Sequence, residues 1–429
     1  MTVGRITPDD TGRFLRGELG ADENRRIVRQ LLAPRPVRRA EVDCGVGFNS
    51  VSPRLAARAQ EIARERRRVP HLLERLLLLP AHSRRALLQE DPAFHNWWLG
   101  ERLIEESRAL LDSDPAGAGD LAGDAAALTE RLSSEIYGDP LIHDLKARAW
   151  AGMGEARRRL ADLRGAEEAF ITAEAYIAQG TADSLEEAQI LELKAALARD
   201  QYRAEDAHRL LDEAIAIYRQ YRDAHLMGRA FIQKGRVEGK MSDLGGAIQW
   251  LRKGLGLLDP QRDRALDLSA RHSLMLYLHE SGRPREARFL LKASKSEFLQ
   301  HGSPLLILRL RWLEGKIYVA LGFPAEAETA LVEARQGFVE LGLAFIAAGV
   351  SLDLAGLYAA EGRAVEMRQL AEEMLPIFQS RDLRREAIAA LIAFQQAARM
   401  ETLNAQLLAE IQTSLDQARQ DPHLRFEPV

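Results

Sequence analysis

Ten histidines and one cysteine are the side chains of this chain best suited to binding a metal or forming a covalent bond. Cys44 has no histidine near it in sequence. One thiol can build neither an intrachain disulfide nor a cysteine-ligated zinc site, so Cys44 reads as an inert thiol. His272 and His279 lie seven residues apart, with Leu276 between them, and would share a helix face. A metal site needs further ligands one turn away, so the pair reads as core or solvated histidines. The stretch GVGFNS at 45–50 lacks the third glycine and the lysine of a phosphate-binding loop, and reads as a turn in a linker. No HExxH, GxSxG or Walker motif is present. These absences point to a non-enzymatic chain with no cofactor; an enzyme would need a site that no motif here announces.

Two further groups carry binding chemistry. Trp97-Trp98 offers aromatic surface to a ligand, but adjacent helical residues point about 100° apart, so at least one ring turns inward to pack. Arg66-Arg67-Arg68 is a basic spot without interleaved aromatics. It reads as a solvated helix end or as a contact for nucleic acid or an acidic protein.

The elements that must position these residues are helical. Apolar residues make up 46% of the 429 and aromatics 6%, the composition leans on Ala, Leu, Arg and Glu, and strand-like alternation is almost absent. The net charge of −4 gives the whole chain no nucleic-acid character. It is unevenly spread: residues 1–70 hold 15 Arg, no Lys and 9 acidic residues, a net of +6, and the remainder carries −10. A basic head on an acidic body can steer an anionic partner to the head. The N-terminus lacks an apolar signal core, and the most apolar stretches are too short or too charged to span a bilayer. No membrane association is expected, and a cytoplasmic location is the default.

A repeat organises the chain. Ala, an apolar residue four later and a small residue three after that occur as Ala166-Phe170-Ala173, Ala207-Leu211-Ala214, Ala247-Leu251-Gly254, Ala287-Leu291-Ser294 and Ala327-Leu331-Ala334, with a degenerate copy at Met367-Ala371-Met374. Successive copies start 41, 40, 40, 40 and 40 residues apart. Gly154, Ala195, Gly235, Gly315 and Ala355 each lie twelve residues before a copy, and Gly282, Gly322 and Gly362 fall between the two helices this spacing implies. Small residues let paired helices approach closely; Trp150, Phe170, Tyr318 and Tyr358 fill the gaps beside them. A turn glycine supplies the left-handed conformation that ends the first helix.

This pattern resembles the tetratricopeptide repeat (TPR) over roughly residues 140–380, with a weaker capping pair to about 420. The period near 40 resembles that of longer-repeat bacterial regulatory proteins of this type. The resemblance implies an all-α fold: a TPR-like α-solenoid of antiparallel helix pairs with an N-terminal helical cap. The expected organisation is a segment at 1–50, a helical cap at 51–115 in which Pro80 and Pro92 end helices and DSDPAGAGD forms a break, repeats at 116–420, and a tail at 421–429. Residues 10–33 resemble the opening of bacterial anti-sigma zinc segments. Gln30 and the stretch 33–39 stand where that family has its ligands, so no zinc is expected.

The resemblance places the first helix of each pair along a concave groove. On that face the frame puts Arg148, Glu155 and Arg159; Glu192 and Arg199; Arg229, Ile232 and Arg236; Ser269, His272 and Leu276; and Arg309, Trp312 and Lys316. Arginine is abundant there. Either this is solvated surface in an arginine-rich chain, or it is a basic groove for an acidic peptide or carboxylate terminus, which guanidinium forks match. No asparagine occurs between Asn96 and Asn404, which argues against a carboxylate clamp built on groove asparagines. The functional expectation is a scaffold or adaptor that binds a protein or peptide. The alternative is a transcription-linked regulator contacting a sigma factor or DNA through the basic N-terminus; the repeat domain itself is not expected to bind nucleic acid.

Overall fold

The computed structural model describes residues 53–379 and, beyond them, Leu407, Glu410, Ile411 and Thr413. The anti-sigma-like segment, Cys44, GVGFNS, most of the basic head and most of the stretch from 380 to 429 lie outside the described residues. Among the described residues every regular element is a helix. They fall into two compact units that divide between Asp223 and Ala224.

The first unit contains α1 (Pro53–Leu77), α2 (Ala81–Glu90), a 3-10 turn (Pro92–Phe94), α3 (Trp97–Leu110), α4 (Pro115–Thr129), a single turn α5 (Ser134–Tyr137), α6 (Asp139–Arg159), α7 (Leu163–Ile177), α8 (Ser184–Asp200) and α9 (Ala204–Gln220). Antiparallel pairs are α3/α4, α6/α7 and α8/α9. Two features differ from the sequence reading. α1 runs through Pro70, which places Arg66-Arg67-Arg68 inside a helix rather than at its end. An interior proline costs about 3 kcal/mol. The burial of Val69, Leu72, Leu73 and Leu76 around it offsets that, at roughly 1.5–3 kcal/mol per side chain. Second, DSDPAGAGD is not a break. Asp114 caps Gly117 N at 2.9 Å, Pro115 takes the first helical position, and α4 carries the glycines inside it. A Cβ on Gly119 would lie 3.3 Å from that of Ala156 on α6, so this glycine marks a close helix contact.

The second unit contains α10 (Ala224–Lys240), α11 (Leu244–Leu255), α12 (Arg264–Glu280), α13 (Pro284–His301), α14 (Pro304–Leu321), α15 (Pro324–Glu340), α16 (Ala344–Ala360) and α17 (Ala364–Gln379). The pairs are α10/α11, α12/α13, α14/α15 and α16/α17. Ile411 is fully buried in the cluster formed by α15, α16 and α17, with Leu407 beside it.

The small-residue register holds in three dimensions. All the motif residues named above up to Ala371 are buried. A Cβ added to Gly154 would lie 2.8 Å from the Phe170 ring, one on Gly235 2.8 Å from Leu251, and one on Gly315 2.7 Å from Leu331. Each glycine faces the middle residue of the motif on its partner helix. The fourth repeat has the fully buried Met275 at the corresponding place.

The turn from first to second helix also repeats. Gly282, Gly322 and Gly362 have φ of +75°, +75° and +70°, and Ala161, Tyr202 and Ser242 occupy the same place in the earlier repeats with φ of 63°, 59° and 66°. The geometry is therefore common to all six repeats, while the residue that adopts it comfortably is present in three.

Candidate functional site

Within each unit the first helices of successive pairs lie side by side and form a wall. In the first unit these are α3, α6 and α8; in the second, α10, α12, α14 and α16.

In the first unit Arg148 of α6 donates to both oxygens of Glu101 on α3, through Nη1 at 2.7 Å and through Nη2. Its Nε lies 3.4 Å from Glu186 in the first turn of α8, and the Trp97 ring lies 5.9 Å from its guanidinium carbon. Asp144 is buried; Thr181 donates to it through its hydroxyl and, at 3.1 Å, its main-chain N–H. Burial raises the pKa of Asp144. Glu186 is pushed up to about 7, chiefly by burial, with Asp144, Asp183 and Glu101 adding to the effect and Arg148 opposing it.

At the other end of α6, Glu155 accepts from Arg158 at 2.7 and 2.8 Å and from Arg159 at 2.9 Å. Burial alone would raise this carboxyl, but the two guanidinium groups hold it below the usual range. Arg159 also bonds Asp112 at 2.6 Å, Arg158 bonds Asp200, and Arg199 bonds Asp200 at 2.8 Å. Glu192 is buried and accepts from Tyr218 at 2.6 Å. Every residue that the sequence places on the groove face of this unit is thus tied into an internal polar network.

In the second unit Arg236 of α10 donates to Ser269 of α12 at 2.9 Å. His272 faces Arg309 of α14, and its buried Nε2 has no hydrogen-bond partner. Burial drives its pKa down to about 4; a hydrogen bond to the Arg309 main chain opposes this and the Arg309 charge adds to it. His279 is lowered by burial and then by Lys316. The Lys316 ammonium sits 5.6 Å from the Trp312 ring. Trp312 Nε1 donates to Asp353 of α16 at 2.6 Å. Arg309 is exposed; Arg229, Arg236, Trp312, Lys316 and Leu276 are half-buried. Ile232, expected on this face, is instead fully buried in the core shared by α10 to α14; its place in the frame points it into the packing, so it is removed from the wall.

The wall therefore brings together Arg236 with Ser269, His272 with Arg309, His279 with Lys316, and Trp312 with Asp353. Sequence reasoning missed Glu101, Glu186 and Asp353. These partners stand 38 to 47 residues from the residues they touch, about one repeat period, so pairing each candidate with positions one period away was the signal to follow. Trp97 and Trp98 meet edge to face at 4.9 Å and pack on the first unit's core, with Arg66 4.9 Å from the Trp98 ring.

The two walls differ in charge. α3, α6 and α8 carry nine basic and ten acidic residues; α10, α12, α14 and α16 carry nine and five. Among the described residues, no three His, Cys, Asp or Glu side chains gather as a metal site, and no helix is long and apolar enough to cross a membrane.

No protein-family model and no curated protein matches the sequence. Solved structures match the fold. A signal-transduction ATPase with a tetratricopeptide-repeat sensor from Pyrococcus horikoshii superposes with a TM-score of 0.54 at 14% identity, over 84% of this chain and 53% of its own. Aspartyl phosphate phosphatase F from Bacillus subtilis gives 0.50 at 15% identity, over 89% and 96%. The chain has an all-α, TPR-like fold, with antiparallel helix pairs stacked side by side within each unit.

Proposed function

We propose that the chain is a non-enzymatic scaffold or adaptor that binds an acidic protein segment along α10, α12 and α14, with Arg229, Arg236, Arg309 and Lys316 as the cations and Trp312 as an apolar contact. The observation that carries this reading is the excess of nine basic over four acidic residues in those helices. Guanidinium groups pair with carboxylates through two parallel bonds, and a wall with surplus positive charge attracts an anionic partner over several ångströms. The non-enzymatic part of the reading rests on the lack of a catalytic motif in the sequence.

The test is calorimetric titration of the full chain with a synthetic aspartate-rich peptide. Reversing Arg236 and Arg309 to Glu should weaken binding at least about a hundredfold, since each charge-assisted contact contributes roughly 1–3 kcal/mol. Circular dichroism should remain unchanged, because Arg309 is exposed and Arg236 half-buried. A double variant that binds as the parent does would move the site away from this wall.

A further inference from the structure

We infer that the first unit docks a tyrosine side chain of a partner protein in a cleft between α7 and α9, over the C-terminal half of α8. The site belongs to the other unit from the wall proposed above and does not rest on that reading. The cleft has a volume of about 130 Å³. Phe170, Leu197, Ala198 and Leu210 form its floor, and Ile171, 60% exposed, stands at its mouth. An apolar cavity of about 150 Å³ holds a benzene ring, so the space suits one aromatic side chain.

The chain itself supplies the template for the occupant. In the sixth repeat Tyr358 stands three residues after the small Ala355 and is buried in the cluster formed by α15, α16 and α17. Its hydroxyl donates to Glu328 at 2.9 Å, and the Arg363 guanidinium carbon lies 4.4 Å from its ring centroid. Arg363 in turn bonds Glu328 at 2.7 and 3.0 Å, Glu366 at 2.8 Å and Glu361 at 3.2 Å. The second repeat reproduces this polar frame, with Gln201 in the place of Glu361. Arg203 bonds Glu167 at 3.0 Å, Asp206 at 3.2 Å and Gln201 at 3.1 Å. What differs is the ring: three residues after the small Ala195 comes Ala198, buried at the bottom of the cleft. In the fifth repeat Tyr318 takes the same place, edge-on to Phe323 with ring centroids 6.2 Å apart.

The cleft has a chemical preference. Its floor is apolar, while its rim carries the Glu167 carboxylate and the Arg203 guanidinium, both on half-exposed side chains. A phenol ring entering from solvent buries its faces on the floor, meets Arg203 as a cation against an aromatic ring, and donates its hydroxyl to Glu167. A phenylalanine fills the same volume and forgoes the hydroxyl bond. A carboxylate meets Glu167, and an ammonium meets Arg203, at like charge. The other cations that line the cleft are engaged with carboxylates beside it: Lys194 bonds Glu174, and Arg209 bonds Glu213 at 3.1 Å.

The experiment follows the Ile171 δ1 methyl resonance of the full chain, identified by its loss in Ile171→Val. The chain is titrated with p-cresol, with toluene and with the peptide Gly-Ser-Tyr-Ser-Gly. p-Cresol and the peptide should give saturable shifts. p-Cresol should bind about tenfold tighter than toluene, the worth of one hydrogen bond to a charged group. Ala198→Tyr fills the cleft from α8, so it should keep the parent's helicity and abolish all three responses. Glu167→Ala should leave toluene binding in place and remove the preference for p-cresol. No saturable shift in the parent, or p-cresol binding that survives Ala198→Tyr, overturns the inference. So does an Ala198→Tyr chain that fails to fold, because the cleft then does not admit the ring. Toluene binding as tight as that of p-cresol would assign the cleft to any apolar side chain, and p-cresol binding without peptide binding would assign it to free phenols; either result removes the partner's tyrosine.

Discussion

Arg148 and Arg309 occupy the same place in the repeat, six residues before Gly154 and Gly315, yet they live in different surroundings. Arg148 is held by both oxygens of Glu101 and faces Glu186 at 3.4 Å, and its side chain is 16% exposed. Arg309 is exposed and faces a neutral histidine. One residue after the same small positions, the first unit has Glu155, clasped by two arginines, whereas the second has Arg236 and Lys316. The repeat frame determines where a side chain points. The carboxylates supplied by the neighbouring helices determine whether that side chain holds the stack together or adds to a surface field. The first wall binds its arginines to carboxylates of neighbouring helices, whereas the first helices of the second unit carry more basic than acidic residues.

The hardest blow to the shared frame is bulk at a close helix contact. Gly315→Leu should destabilise the second unit by roughly 3 kcal/mol or more, because its first side-chain atom already collides with Leu331 at 2.7 Å. Gly154→Leu should do the same to the first unit through Phe170. Thermal and denaturant melts check both, and an unshifted midpoint would mean the contact relaxes without cost.

Truncating the two equivalent arginines separates the walls. Arg148→Ala should cost about 2–3 kcal/mol, since it leaves Glu101 and Glu186 without their cation. Arg309→Ala, at an exposed side chain, should cost less than Arg148→Ala. Equal costs in urea titrations would break the contrast.

The units should also respond to pH with opposite sign. Glu186 has a folded pKa raised above its unfolded value, so the stability it contributes is present at low pH and is lost as pH rises through about 7. His272 has a folded pKa lowered to about 4, so its contribution is present above the unfolded value and is lost as pH falls through the range between that value and about 4. Each effect is on the order of 1–2 kcal/mol. Glu186→Gln should flatten the midpoint between about pH 4.5 and 7, and His272→Gln should flatten it between pH 6.5 and 4. A variant whose profile overlays the parent's would remove that residue from the account.

The smallest effect concerns the turns. Ser242 holds φ of 66° and is exposed, so Ser242→Gly should gain about 1 kcal/mol by relieving a left-handed backbone at little packing cost. Gly322→Ala, in the second unit, should lose about the same amount. Midpoints moving the other way would show that packing, not backbone strain, governs these turns.

Much of the fold was legible because the constraint is local and repeated. A helix contact close enough to require Gly154, Gly235 and Gly315 recurs every forty residues, and a motif residue on the partner helix must face each one. The N-terminal helices were less legible. Pro70 and the glycines of α4 are stop signals in isolation, and only the burial of Val69 and Leu72 and the approach of Ala156 to Gly119 explain why the helices continue. The wall residues could be ranked by spacing, but Ile232 shows the limit: one angular step separates a groove position from the core.

The sequence by itself determined the helical class, the forty-residue period, the small-residue contacts and which residues face along the first helices. These follow from side-chain size and helical periodicity, which act between residues a few positions apart. The tertiary structure alone decided what the charges do. Whether an arginine meets Glu101, Ser269 or a neutral His272 depends on which helix is stacked beside its own, a separation of 33 to 47 residues along the chain. Coulomb energy depends on distance in space and on burial, and neither quantity is carried by local pattern.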